Sequence, residues 1–309
     1  MNEPVLFTLN GAADLARGLA RELNARPGAF ERRSFPDGET YIRVDSSVAD
    51  CDTLILCGLE NPDGRFLPLW FLARALRDAG ARSVGLVAPY LAYMRQDKRF
   101  QPGEALTSAY FADLVSAQFD WLATVDPHLH RYQSLDEVYG IPARVVHAAP
   151  LLVDHLARRQ GIVLVGPDAE SEQWVGRLGE RAGVPWITAR KVRRGDRDVS
   201  IELPALDAFS GRQAVLVDDV ISSGTTLERA MAALAEAGMG TAACLCIHGL
   251  FAGDAEERLR AAGAGELIST NTIAHDSNAI DVTSLLAGAV TELLASTRGA
   301  GVDADTMRG

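Results

Sequence analysis

Short apolar runs alternate along this chain with stretches in which apolar residues recur every three or four positions. Runs at 5–8, 53–57, 84–88 and 121–125 predict strands, and the periodic stretches at 12–23, 68–79 and 105–117 predict amphipathic helices. After Gly140-Ile141-Pro142 the rhythm starts again, with strands at 162–165, 186–188, 214–217, 242–247 and 267–269 and helices at 151–159, 172–182, 226–237 and 255–262. Near-continuous apolar strands separated by helices are the mark of parallel sheets covered on both faces. The expected fold class is therefore α/β, with two doubly wound parallel-sheet domains over 1–142 and 143–283. Residues 284–309 are expected to supply a last apolar helix, over 284–294, that packs back on the first domain and then frays through RGAGVDADTMRG.

Composition narrows the function without naming it. A length of 309 residues suits two domains. No run approaches the ~18 apolar residues of a membrane span, and the start MNEPVLFTLNG lacks a secretory or transit pattern, so no membrane is implied and a cytoplasmic location is expected. Cys51, Cys57, Cys244 and Cys246 lack the spacing of a zinc site and read as reduced core residues. The net charge of −11 argues against a nucleic-acid partner, because such binding draws its affinity from neutralised phosphates. A small anionic substrate is left, to be met by local basic clusters such as Arg95-Gln96-Asp97-Lys98-Arg99 and Lys191-Val192-Arg193-Arg194.

In doubly wound folds ligands sit at the carboxyl ends of strands, and the candidate chemistry gathers there. The run AVLVDDVISSGTTLERA ends a buried strand in two carboxylates, and a loop of small residues then opens into a helix. Ser222, Ser223, Gly224, Thr225 and Thr226 offer hydroxyls and open backbone N–H groups at the positive end of a helix dipole, which suits a sugar phosphate. Asp218 and Asp219 would repel that phosphate and instead suit ribose hydroxyls; a helix cap needs fewer such residues. In Ser34-Phe35-Pro36-Asp37-Gly38-Glu39 an aromatic ring stands beside two acids, a composition that by itself is an acidic turn. Arg95 and Gln96 suit a polyphosphate nucleotide, against the plain reading of a solvated charged loop. Asp126-Pro127-His128-Leu129-His130 and Gly166-Pro167-Asp168 each end a strand, and Lys191 to Arg197 form a cationic stretch suited to a mobile flap.

VDDVISSGTTL resembles the phosphoribosyl-diphosphate loop shared by type I phosphoribosyltransferases and ribose-phosphate diphosphokinases. The other segments are similar to those of the diphosphokinases, in the same order along nearly the whole chain. The resemblance implies two domains of phosphoribosyltransferase type and transfer of the β,γ-diphosphoryl group of ATP to the anomeric hydroxyl of ribose 5-phosphate. It implies that Phe35, Asp37, Gly38 and Glu39 contact adenine from a neighbouring subunit of a homo-oligomer, and that Arg95, Gln96 and Asp97 serve ATP. It implies that His128 and Asp168 hold Mg2+, that Lys191 and Arg193 open the catalytic flexible loop with Arg193 also on the sugar phosphate, and that Asp218, Asp219, Ser222, Ser223, Gly224, Thr225 and Thr226 bind ribose 5-phosphate. This chain departs from the family at Ser222, where an acid is commoner, at Pro127, where leucine is usual, and at Ala169-Glu170-Ser171, which replaces a glycine pair. A phosphoribosyltransferase, or a non-catalytic regulatory relative of the synthetase, are the alternatives.

Overall fold

The computed structural model describes residues 2–129, 131–169, 171–193, 199–204 and 206–306, which divide into two compact units. The first comprises 1–147, 272–274 and 282–309; the second comprises 148–271 and 275–281.

The first unit contains β1 (Val5–Asn10), α1 (Ala13–Glu22), β2 (Arg26–Pro27), β3 (Phe30–Ser34), β4 (Thr40–Val44), β5 (Asp52–Cys57), α2 (Asp63–Asp78), β6 (Ser83–Ala88), α3 (Thr107–Ser116), β7 (Trp121–Val125) and β8 (Ala143–Val146). The second contains α4 (Ala149–Ala157), β9 (Ile162–Gly166), α5 (Glu172–Ala182), β10 (Trp186–Thr188), β11 (Arg190–Arg193), β12 (Val199–Glu202), β13 (Gln213–Ile221), α6 (Thr225–Glu236), β14 (Ala242–Gly249), α7 (Ala255–Ala261), β15 (Ala264–Thr270) and β16 (Asn278–Ile280). The closing helix α8 (Thr283–Thr306) returns to the first unit, where it packs on α1 and over β6, β7 and β8.

The two sheets share one topology. The first is ordered β2-β1-β5-β6-β7-β8 and the second β10-β9-β13-β14-β15-β16, parallel throughout. In each, the chain steps from its first strand to one edge, returns to the other side of that strand, and proceeds outward. Right-handed crossovers then place the helices of the two directions on opposite faces, and a crevice opens where the direction reverses. The reversal lies between β1 and β5 in the first sheet and between β9 and β13 in the second.

Burial on both faces explains the apolar strands. Every residue of β5, β6, β7, β9 and β14 is buried. Gly85 sits opposite Trp121 in the register of β6 and β7, and a side chain there would meet the indole at 2.0 Å, so the glycine makes room for the fully buried tryptophan. The four cysteines are free and buried, and burial pushes the Cys57 and Cys244 thiols up to about 12, which keeps them protonated and inert.

Several boundaries differ from the sequence expectation. The first unit runs on past Pro142 because Ala143–Val146 is the sixth strand of its sheet. The helix expected from residue 68 begins at Asp63, with Pro68 inside it and an acid in the first turn facing the helix dipole. The helix expected to stop at 294 continues to Thr306, since no proline interrupts the tail and glycine costs a helix only about 1 kcal/mol. Residues 307–309 lie outside the described residues. The strands β2 and β16 span two and three residues, too short to show a period. The hairpins β3–β4 and β11–β12 lie outside both main sheets.

Candidate functional site

In the second unit the register builds the site. β9 pairs with β13 through Val165 and Leu216, and β13 then continues beside β14 alone, through Asp218 opposite Cys246 and Ile221 opposite Gly249. Asp218 and Asp219 therefore stand beyond the end of β9, where the loop Gly166-Pro167-Asp168 turns toward α5. In that loop Ser171 N–H donates to Asp168 Oδ1 at 3.0 Å, and Ser171 Oγ donates to the Asp168 carbonyl at 2.6 Å. The loop is thus a closed turn that fixes the Asp168 carboxylate. Glu172 is exposed as the first residue of α5, and Glu170 lies outside the described residues.

Asp218 and Asp219 each accept from the N–H of the following residue, Asp219 N at 3.0 Å and Val220 N at 2.8 Å. Burial, and next the neighbouring Asp219, push the Asp218 carboxyl up to about 8; Asp168 adds to the same direction. At neutral pH this carboxyl holds its proton until a partner offers donors or positive charge. A ribose diol supplies donors, and a hard cation would also relieve an all-oxygen acidic set of this kind.

The loop after β13 ends at Gly224, whose φ of +70° lies in the left-handed region, and α6 starts at Thr225. Ser223 Oγ and Thr225 Oγ1 are 3.2 Å apart, so the hydroxyls cluster at the helix N-terminus. Behind the loop, the Ile221 carbonyl accepts from Leu250 N and Phe251 N, and the Ser222 carbonyl from Ala252 N, all at 3.0 Å. The result is a hydroxyl-lined loop at a helix N-terminus, supported by the β14–α7 connection, a support that no local motif announced. Lys191 and Arg193 fall on β11, opposite Ile201 and Val199 of β12; their side chains, and residues 194–198, lie outside the described residues.

In the first unit the Phe35 segment is the tip of the β3–β4 hairpin, closed by Phe35 N to the Glu39 carbonyl at 2.8 Å and by Gly38 at φ +93°. Phe35, Asp37 and Glu39 are all exposed. The Arg33 guanidinium lies 4.7 Å from the Phe35 ring centre and 4.1 Å from that of Tyr41, and the two rings meet edge-on at 6.1 Å. Arg33 and Tyr41, absent from the sequence reading, brace the ring so that it presents an aromatic surface at the tip.

The basic segment follows β6. Arg95 is exposed and Gln96 half-buried, whereas Asp97 is buried and accepts from Arg131 Nη1 at 2.9 Å. Asp97 is therefore committed to the protein interior, and it shapes the loop that carries Arg95 and Gln96. Arg131 also lies over Phe100, and its place directly after the histidine segment was the only sequence signal for it. After β7, Asp126 has a left-handed φ of +32° and its Oδ1 hydrogen-bonds Nδ1 of His147 at 2.7 Å, at the end of β8. His128 is half-buried in this connection and His130 lies outside the described residues. The basic and histidine segments thus follow β6 and β7, whereas the Phe35 motif lies apart on the β3–β4 hairpin; after β5, Glu60 pairs with Arg65, which donates to the Gly58 carbonyl at 2.8 Å. Among the described residues no group of three or more His, Cys, Asp or Glu is placed to hold a metal, so a cation would need substrate oxygens to complete its shell.

A parallel sheet with a hydroxyl-lined loop and paired carboxylates at its switch point is an α/β architecture of phosphoribosyltransferase type. The phosphoribosyl transferase domain family accordingly matches residues 134–283, and the N-terminal domain of ribose phosphate pyrophosphokinase matches residues 4–118. The ribose-phosphate pyrophosphokinase of Methanopyrus kandleri is 36% identical over 293 residues, covering 94% of this chain and 99% of that one. That of Methanobrevibacter smithii is 32% identical, covering 90% and 97%. The crystal structure of phosphoribosylpyrophosphate synthetase from Mycobacterium smegmatis superposes with a TM-score of 0.81 at 25% identity, over 96% of this chain and all of that one. The chain belongs to the ribose-phosphate pyrophosphokinase family. No helix among the described residues is long and apolar enough to cross a membrane.

Proposed function

We propose that this protein transfers the β,γ-diphosphoryl group of ATP to the anomeric hydroxyl of ribose 5-phosphate. The anomeric oxygen gives up its proton, which ends in solvent, and bonds to the β-phosphorus; the bond from that phosphorus to the oxygen bridging to the α-phosphorus breaks, and AMP leaves with that oxygen and its electron pair. The products are 5-phosphoribosyl 1-diphosphate and AMP. The observation that carries this reading is the supported anion cradle beside Asp218 and Asp219, in a chain whose relatives over nearly its full length are named ribose-phosphate pyrophosphokinases.

In this reading Ser222 to Thr226 hold the 5-phosphate, and Asp218 and Asp219 orient the ribose diol. Arg95 and Gln96 take the ATP phosphates and ribose, and the braced Phe35 ring, with Asp37, Gly38 and Glu39, takes the adenine of a neighbouring subunit in a homo-oligomer. Lys191 and Arg193, on β11, stabilise the charge that spreads over the transferring group. Mg2+ would neutralise the triphosphate, with His128 in the first unit and Asp168 in the second each a candidate ligand. Catalysis is then mostly positioning and charge neutralisation.

The test is phosphorus NMR of the protein with ATP, magnesium and ribose 5-phosphate. AMP and the new diphosphate ester should appear together and only when the sugar phosphate is present; ATP consumption that ignores the sugar sinks the reading. A smaller effect is expected at the hairpin. Base stacking on an aromatic ring contributes roughly 1–3 kcal/mol, so Phe35→Ala should raise KM for ATP about tenfold while KM for ribose 5-phosphate stays put. Steady-state kinetics with each substrate varied in turn will read this, and an unchanged KM for ATP removes Phe35 from the site.

A further inference from the structure

The phosphate loop of the second unit has one side packed against the segment that runs from the end of β14 into α7. Three successive loop carbonyls are held from that side. Those of Ile221 and Ser222 accept from the backbone of 250–252 at 3.0 Å, and that of Ser223 accepts from Arg258 Nη2 at 2.6 Å. Every peptide bond here is trans, so the N–H of each peptide points opposite to its carbonyl. The N–H groups of Ser222, Ser223 and Gly224 are therefore all turned away from α7, as consecutive donors of the kind that make an anion nest.

Two of these carbonyls are held by backbone, which almost any side chains would allow. The third depends on one residue. Arg258 also donates from Nη1 to Glu228 Oε2 and from Nε to Asp254 Oδ1, both at 3.0 Å. Its planar fork thus ties the loop peptide to the first turn of α6 and to the start of its own helix at once. Two carboxylates already neutralise the guanidinium, so its work is to hold a peptide plane rather than to bind phosphate. Leu259, the next residue, closes on Gly224 from the same side.

We propose that Arg258 is a positioning residue for ribose 5-phosphate, fixing the Ser223–Gly224 peptide so that its N–H meets the 5-phosphate. The proposal rests on the assignment of this loop to the 5-phosphate made above. Arg258→Met keeps the aliphatic stem and removes the fork; Arg258→Lys keeps the charge and can restore one of the three contacts.

Calorimetric titration of the full-length protein with ribose 5-phosphate, and separately with ATP, tests it. Loss of a charge-assisted hydrogen bond should weaken ribose 5-phosphate about tenfold in Arg258→Met, leave ATP affinity unchanged, and be partly recovered in Arg258→Lys. A folded Arg258→Met protein that binds the sugar phosphate as tightly as wild type overturns the proposal, as does an equal loss of ATP affinity, which would mark a general structural defect. Should the methionine variant not fold, the lysine variant decides alone: wild-type affinity overturns the proposal, and a selective loss for ribose 5-phosphate supports it. Wild-type protein that binds the sugar phosphate but forms no AMP would refute the reaction while the titrations still judge Arg258. Wild type that does not bind the sugar phosphate at all overturns both.

Discussion

Gly224→Val should weaken ribose 5-phosphate by on the order of a hundredfold while leaving ATP affinity intact. The φ of +70° at this position costs an ordinary residue about 1–2 kcal/mol and a β-branched one more. Space is also lacking, since an added Cβ would lie 3.1 Å from Cγ of Leu259 and within 3.3 Å of both its methyls. The chain can escape only by moving the loop off α7, which would break the carbonyl contacts that turn three N–H groups away from α7 and toward the proposed phosphate position. A control separates this from simple backbone strain. Gly238 has a similar φ of +77° just past α6, with nothing within 4 Å of an added Cβ, so Gly238→Ala should lower the melting temperature slightly and leave both KM values alone. Sugar-phosphate titration and thermal melting of the two variants check this; equal behaviour would show that the loop tolerates a side chain.

Asp218→Asn should lower affinity for ribose 5-phosphate by a similar factor and yet stabilise the ligand-free protein. Hydrogen bonds to a charged acceptor contribute roughly 1.5–3 kcal/mol, and the amide cannot become that acceptor. The stability effect follows from the sign of the shift. The folded carboxyl titrates at about 8, whereas an aspartate in the unfolded chain titrates near 3.9. Between these values the folded state binds a proton that the unfolded state does not, so wild-type stability falls as pH rises through that window. Asparagine carries no charge at any of these pH values. The melting temperature of the variant should therefore pull ahead of wild type as pH rises from about 5, with the gap levelling off above about 8. Melting curves across that range read the effect, and a gap independent of pH would show that Asp218 is ionised throughout. Ligands that favour the carboxylate should also release a proton on binding at neutral pH, visible as buffer-dependent heats of titration.

Much of this protein was legible along the chain. The alternation of buried strands and periodic helices gave two doubly wound units, because burial on both faces leaves a local mark in every strand. The strand–loop–helix unit of the proposed phosphate site was legible for the same reason: strand end, carboxylates, small hydroxylic residues and helix start are contiguous in Ala214 to Ala230. Hydrogen bonds that join distant segments leave no such mark. Nothing near Asp97 announces Arg131, nothing near Asp126 announces His147, and Arg258 lies 35 residues from the carbonyl it holds.

By itself, then, the sequence determined the elements, their parallel arrangement and the residues at the strand ends, since these follow from short-range periodicity and composition. The tertiary structure alone decided which strand ends meet. The order β10-β9-β13-β14 sets the Asp168 turn beside Asp218 and Asp219, and lets α7 carry the loop after β13. Strand order depends on which apolar surfaces pack together across the whole unit, a competition among distant segments that no local pattern records.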